Sequence, residues 1–181
     1  MIEQEKNIKI FIVTGMPASG KNLAASFARE HRYPYFSTGD IVRAEITRRG
    51  LKADPETSAR ISTEMREDDG LGVTKRAVKE ALRQSADAVF IEGIRSWAEV
   101  EWIRSQTPCS VIAVVAPRDI RLERVKQRGR EDDSADHFSL RDSREIDYGV
   151  AVCIALADGY VVNAGALEDA KRQLAAIVLG Q

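Results

Sequence analysis

The chain is poor in the residues that form disulfides or hold soft metals: 181 residues carry two cysteines and two histidines. Cys109 and Cys153 form no C-x-x-C pair, and two thiols are too few for a disulfide framework. His31 and His137 are isolated, which favours structural or surface roles over ligation. Long apolar runs are also missing. The longest, Val150 to Ala157, falls far short of the roughly 20 residues that cross a bilayer. The N-terminus MIEQEKNIKIF places acids where a secretion signal carries its positive charge, with no cleavage site after it. An excess of one charge sign is absent, since 27 basic residues face 28 acidic ones; this argues against a general nucleic-acid binder. Internal repeats, an N-K-x-D guanine signature and an L-S-G-G-Q transporter signature are lacking too. These absences leave the expectation of a reduced, cytoplasmic chain, a monomer or small homo-oligomer, with no membrane or nucleic-acid partner.

What is present is a regular alternation. Lys9–Thr14 is a β-branched apolar run ended by glycine and reads as a buried strand. A helical pattern follows from Asn22 to His31, and Tyr33–Phe36 suits a second strand. Ser37–Asp40 reads as a turn capping a helix from Ile41 to Arg49, with Gly50 as its stop. Pro55 opens another helix through Ile61 and Met65, and a further one spans Thr74 to Gln84. Ala88–Glu92, Ser110–Ala116 and Asp158–Asn163 read as strands. Trp97–Arg104, Arg118–Arg128 and the C-terminal segment read as helices, while Gly129–Phe138 reads as a polar connector. Trp97 and Trp102, five apart, suit packing better than a stacking platform. Five apolar strands alternating with helices predict an α/β fold: a five-stranded parallel sheet with helices on both faces.

Gly15-Met16-Pro17-Ala18-Ser19-Gly20-Lys21-Asn22 fits the phosphate-loop pattern G-x-x-x-x-G-K, with Asn where Ser or Thr is usual. Glycines let backbone N–H groups close around phosphate oxygens. The lysine reaches the β- and γ-phosphates, and the following helix points its positive end at the anion. The motif lies between the first strand and an uninterrupted helical pattern, as that geometry requires. Gly15, Pro17, Ala18, Ser19, Gly20, Lys21 and Asn22 are the expected ATP-binding residues. The Asn22 carboxamide oxygen is a hard ligand able to replace the usual hydroxyl on Mg²⁺.

Four further segments resemble adenylate kinases. Ser37-Thr38-Gly39-Asp40-Ile41-Val42-Arg43 is similar to S-T-G-D-x-x-R, Glu92-Gly93-Ile94-Arg95 to D-G-F-P-R, and Glu123-Arg124-x3-Arg128 to D-R-x3-R. Gly70–Thr74 resembles the close of their monophosphate arm. More specifically, the chain resembles small, mostly archaeal adenylate-kinase-related proteins, identified as predicted nucleotide kinases or dephospho-CoA kinases. Their G-M-P-x-S-G-K, E-G-x-R-S-x-x-E-V-E, G-R-x-D-D and A-L-A-D-x-x-x-x-N patterns fall at Gly15–Lys21, Glu92–Glu101, Gly129–Asp133 and Ala155–Asn163.

The resemblance implies a single P-loop nucleotide-kinase domain over residues 1–181, with an acceptor arm at about 39–72 and a short lid at about 129–144. Lys21, Arg124, Arg128, Arg141 and Arg144 are the implied catalytic cations, with Arg124 also on the ATP. Thr38, Gly39, Arg43, Gly93, Arg95 and Glu99 are the implied acceptor residues. Asp40 and Glu92 are the implied water-mediated Mg²⁺ partners beside Asn22. Positioning and cations are what phosphoryl transfer needs, and the forked guanidinium suits phosphate.

Singly, these residues have plainer readings: Asp40 as a helix cap, Arg124 and Arg128 as a solvated ion-paired face, Glu131-Asp132-Asp133 as an exposed connector. The ordered set behind a phosphate loop outweighs them. Glu92 to Arg95 is one residue shorter than D-G-F-P-R, and Glu99 stands where adenylate kinases read adenine with glutamine. A carboxylate only accepts hydrogen bonds. The function implied is transfer of the ATP γ-phosphoryl to a nucleoside monophosphate, AMP first. Dephospho-CoA kinase is the alternative, and a nucleotide sensor with an altered metal shell at Asn22 is an alternative of another class.

Overall fold

The computed structural model describes residues 8–66, 69–129 and 134–180. Strand β1 (Lys9–Thr14) leads to α1 (Asn22–Glu30), β2 (Tyr35–Ser37), α2 (Thr38–Arg48), α3 (Pro55–Arg66) and α4 (Gly72–Leu82). Then come β3 (Ala88–Glu92), α5 (Trp97–Gln106), β4 (Cys109–Val115) and α6 (Arg118–Arg128). The chain closes with α7 (Ala135–Asp147), α8 (Val150–Ala155), β5 (Gly159–Val162) and α9 (Leu167–Leu179). The five strands form one parallel sheet in the order β2-β3-β1-β4-β5. The predicted α/β class holds.

Strand alternation divides the core. Ile10, Ile12, Val89 and Ile91 face α4, α5 and α8 through Ala77, Val78, Ala81, Val100, Ile103 and Cys153. Phe11, Val13, Phe90, Ile112 and Val114 face α1 and α9 through Leu23, Phe27, Ala170 and Leu174. Val42, Ile46, Ile61, Met65 and Val73 make a third cluster, so α2, α3 and the start of α4 pack on a small core of their own. No helix among the described residues is long and apolar enough to cross a membrane.

Several boundaries differ from the sequence expectation. The second strand is Tyr35–Ser37 rather than Tyr33–Phe36. Ser37 is the N-cap of α2, its Oγ accepting from the Gly39 N–H, so Thr38, Gly39 and Asp40 lie in the first helical turn instead of preceding it. The polar connector ends early: Ser134 caps α7 at Ala135, and Phe138, placed in the connector by the sequence, is fully buried. Glu131, Asp132 and Asp133 lie outside the described residues. The apolar run at Val150 supplies α8, an element the sequence reading left unassigned because short apolar runs do not separate helix from strand.

Candidate functional site

The loop after β1 is held from its carbonyl side. Lys21 Nζ donates to Gly15 O at 2.8 Å and to Met16 O at 3.3 Å. Arg121 Nη1 donates to Pro17 O at 3.0 Å. Arg124 Nη1 donates to Ala18 O at 3.3 Å and Ser19 O at 3.2 Å, and Asn163 Nδ2 donates to Ser19 O at 2.9 Å. Every carbonyl from Gly15 to Ser19 therefore meets a side-chain donor. In a trans peptide the C=O and the following N–H point opposite ways, so the Ala18 and Gly20 amides lie on the side away from these donors, while the Ser19 N–H donates to Met16 O at 3.1 Å. Gly20, at φ 96°, is required here: a Cβ on it would sit 2.0 Å from Asn163 Nδ2.

Arg121 is anchored in turn by a bidentate pair with Asp142, at 2.7 and 2.8 Å, and both residues are buried. The Phe138 ring lies 5.1 Å from its guanidinium. This pair joins α6 and α7 beneath the loop. Arg124 Nη2 also donates to Asn163 O at 2.8 Å, which ties the end of β5 to the same cluster.

Above the loop lies a cavity of about 260 Å³ whose polar lining includes Lys21, Glu92, Arg95, Arg141 and Glu145. Burial pulls the Lys21 ammonium below its ordinary value, while Glu92 and Glu145 oppose that shift. Glu92 accepts from the Tyr35 hydroxyl at 2.6 Å. Burial first, then the Glu92 charge, pushes the Tyr35 phenol up, so it remains a donor.

A second cavity, about 540 Å³, opens beneath the α2–α3 arm and is lined by Arg43, Arg66, Arg95, Arg144 and Tyr148. A small recess of about 70 Å³ adjoins it at Thr38, Gly39, Gly93 and Glu99. Gly93, at φ 96°, sits under Thr38, whose Oγ1 donates to Gly93 O at 3.2 Å. A third cavity, about 400 Å³, lies on the other side of the loop between α1 and α9, and includes Asn22, Arg124, Asn163 and Leu167.

The expected site residues are therefore distributed unevenly. Lys21, Glu92, Arg95 and Arg141 share the loop cavity. Arg43 and Arg144 line the arm cavity, which separates Arg144 from Arg141. Arg124 grips the loop from behind, and Arg128 is exposed one turn later. Asn22 lines the α1–α9 cavity, away from Glu92. Asp40 is paired with Arg43 within one helical turn. Glu99 closes a capping box: its Oε2 accepts from the Arg95 and Ser96 N–H groups and the Ser96 hydroxyl, and its Oε1 accepts from Thr74 Oγ1. Its geometry is that of a group orienting the Arg95 backbone. Arg121, Asp142, Asn163, Tyr35, Glu145, Arg66 and Tyr148 escaped the sequence reading; only Asn163, as the end of the A-L-A-D-x-x-x-x-N pattern, carried a signal.

Comparison with known proteins gives the family and the fold. Residues 14–139 match the AAA domain family. A UPF0200 protein of Methanocaldococcus jannaschii is 40% identical over 167 residues, covering 90% of this chain and 85% of its own. One from Thermococcus onnurineus is 39% identical over 178 residues, covering 93% and 96%. The crystal structure of TT1252 from Thermus thermophilus shares the fold with TM-score 0.67 at 20% identity, covering 96% of this chain and 97% of that one. The chain belongs to the UPF0200 family, a P-loop α/β protein whose nucleotide-binding loop lies within an AAA domain match.

Proposed function

We propose that the protein is an ATP-dependent kinase that passes the γ-phosphoryl group to a nucleoside monophosphate, AMP first. The observation that carries this reading is the position of Arg95. It lines the cavity over Lys21, the recess at Thr38 and the arginine-rich cavity under the arm. Donor phosphates on the loop and an acceptor phosphate under the arm would both lie within its reach.

In this reading Lys21 and the loop amides hold the β- and γ-phosphates, with Arg141 beside them. Arg43 and Arg95 fork onto the acceptor phosphate, each exchanging an acidic partner for it: Asp40 for Arg43, and Glu145, 3.3 Å from Arg95 Nε. Arg144 approaches from α7 on the acceptor side. Thr38, Gly39 and Gly93 form the acceptor wall. The nucleoside of ATP takes the α1–α9 cavity, against Arg124.

The residues present suit Mg²⁺. Among the described residues Glu92 takes a single hydrogen bond, from Tyr35, which leaves carboxylate lone pairs for the waters of an ion that dehydrates reluctantly. When bound, Mg²⁺ would neutralise charge on the donor phosphates. Glu92 would hold it through water, with Asp40 outside and Asn22 on the far side of the loop.

A coupled assay with Mg·ATP and a panel of AMP, CMP, UMP, GMP and dephospho-CoA tests the proposal. ADP formation that depends on AMP supports it. Turnover only with dephospho-CoA moves the reaction to a hydroxyl acceptor. ATP binding without turnover on any acceptor refutes the kinase reading and leaves a nucleotide sensor.

A further inference from the structure

The arm cavity is lined by arginines beyond Arg43 and Arg95, the pair read as holding the acceptor phosphate. Arg43, Arg66, Arg95 and Arg144 line it, and no carboxylate does among its described lining residues. A phosphate monoester carries about −1.5 to −2 at neutral pH. Arg43 and Arg95 have acidic partners to exchange for it. Arg66 and Arg144 make no ion pair with a described residue.

Arg66 belongs to a built surface. Ser58, Ser62 and Arg66 recur every four residues along α3, so the helix turns one polar stripe into the cavity. The neighbouring face of that helix carries Ile61 and Met65 into the arm's own core, which fixes the rotation of the stripe. Across the cavity the Tyr148 ring carries the Arg66 guanidinium 5.7 Å from its centroid and the Arg95 guanidinium at 5.2 Å. One aromatic ring thus holds two cations of the cavity in fixed relation. Two hydroxyls and a guanidinium with no carboxylate partner among the described residues are the donor set of a phosphate site.

We propose that the acceptor is a nucleotide bearing a second phosphate, bound by Arg66, Ser58 and Ser62 with Arg144, apart from the phosphate held by Arg43 and Arg95. This deepens the kinase reading and rests on its assignment of the arm cavity to the acceptor. The second group is a recognition handle and takes no part in the transfer. The volume of about 540 Å³ lies within the 300–1,000 Å³ range usual for sites of small organic ligands.

Calorimetric titration of the full chain tests this, with a non-hydrolysable ATP analogue occupying the donor loop. Adenosine 3′,5′-bisphosphate or 2′,5′-bisphosphate is expected to bind at least tenfold more tightly than AMP. Arg66→Gln is expected to bring that ratio to within threefold of one, and Ser62→Ala to lower it in the same direction. Thermal melts of both variants verify folding. Equal affinity for AMP and both bisphosphates overturns the inference, as does an unchanged ratio in Arg66→Gln. A strong bisphosphate preference without phosphorylation of any acceptor overturns the kinase reading instead and leaves the second phosphate site standing. Failure of every nucleotide to bind overturns both.

Discussion

Removing Asp142 strands a buried cation. Arg121 is 5% exposed and Asp142 7%, and the two make a bidentate contact at 2.7 and 2.8 Å. In Asp142→Ala the guanidinium keeps one acceptor, Pro17 O at 3.0 Å, and the Phe138 ring at 5.1 Å. Breaking such a pair by one partner costs about 3–5 kcal/mol, because the remaining charge is desolvated without compensation. In a domain of this size each kcal/mol shifts Tm by roughly 2–4 °C, so the variant should melt roughly 6–20 °C below the wild type. Arg121→Met/Asp142→Leu removes both charges and should recover part of that loss. It should stay below wild type by about 1–3 kcal/mol for the lost hydrogen bond to Pro17 O. Thermal and guanidinium unfolding of wild type, Arg121→Met, Asp142→Leu and the double variant, read as a double-mutant cycle with Asp142→Ala alongside, checks this. A shift of less than about 2 °C in Asp142→Ala would refute the reasoning, and so would a double variant less stable than either single one.

Three other substitutions probe different parts of the structure. Gly20→Ala puts a Cβ 2.0 Å from Asn163 Nδ2 at φ 96°, and should cost about 1–3 kcal/mol in chemical denaturation while weakening ATP binding. Full wild-type stability with undiminished ATP affinity would contradict the loop geometry. Glu45 is held down to about 2, first by hydrogen bonds from Arg48 and Arg49. A depressed carboxylate stabilises the fold above its unfolded value, and that contribution fades as pH falls from about 4.5 towards 2. Glu45→Gln should therefore show a shallower decline in stability across that interval, and identical acid profiles would remove Glu45 from the account. Asn22 lies on the far side of the loop from Glu92, so Asn22→Ser should leave kcat within about tenfold, ~1.4 kcal/mol in the barrier. A larger change in steady-state kinetics would show that Asn22 governs the metal shell.

Local signals in the sequence carried much of the architecture. β-branched runs such as Ile10–Val13 and Val111–Val115, each ended by a turn, marked strands that the sheet bears out. The glycine spacing at Gly15 and Gly20 marked the loop, because only backbone geometry is needed to read it. Long-range pairing was not legible. Arg121 looked like one more arginine on a charged helix; its role appears only when Asp142, 21 residues away, folds against it. Glu99 suited an acceptor-base contact until the Ser96 cap and the Thr74 hydroxyl claimed its oxygens. The Ser58, Ser62 and Arg66 stripe escaped the reading, because polar periodicity alone does not separate a ligand wall from a solvated face. The start of α7 was obscured by polar residues around Phe138, whose burial depends on Arg118 and Arg121 of α6 lying over its ring.

The fate of the γ-phosphoryl group tests the assignment most directly. Full-length protein is incubated with Mg·ATP labelled at the γ position and AMP, and the label is followed by chromatography. Transfer to AMP at a rate well above release of inorganic phosphate is expected, with loss of transfer in Lys21→Ala at unchanged thermal stability. Label found only in inorganic phosphate, or equal transfer by Lys21→Ala, contradicts a kinase built on this loop.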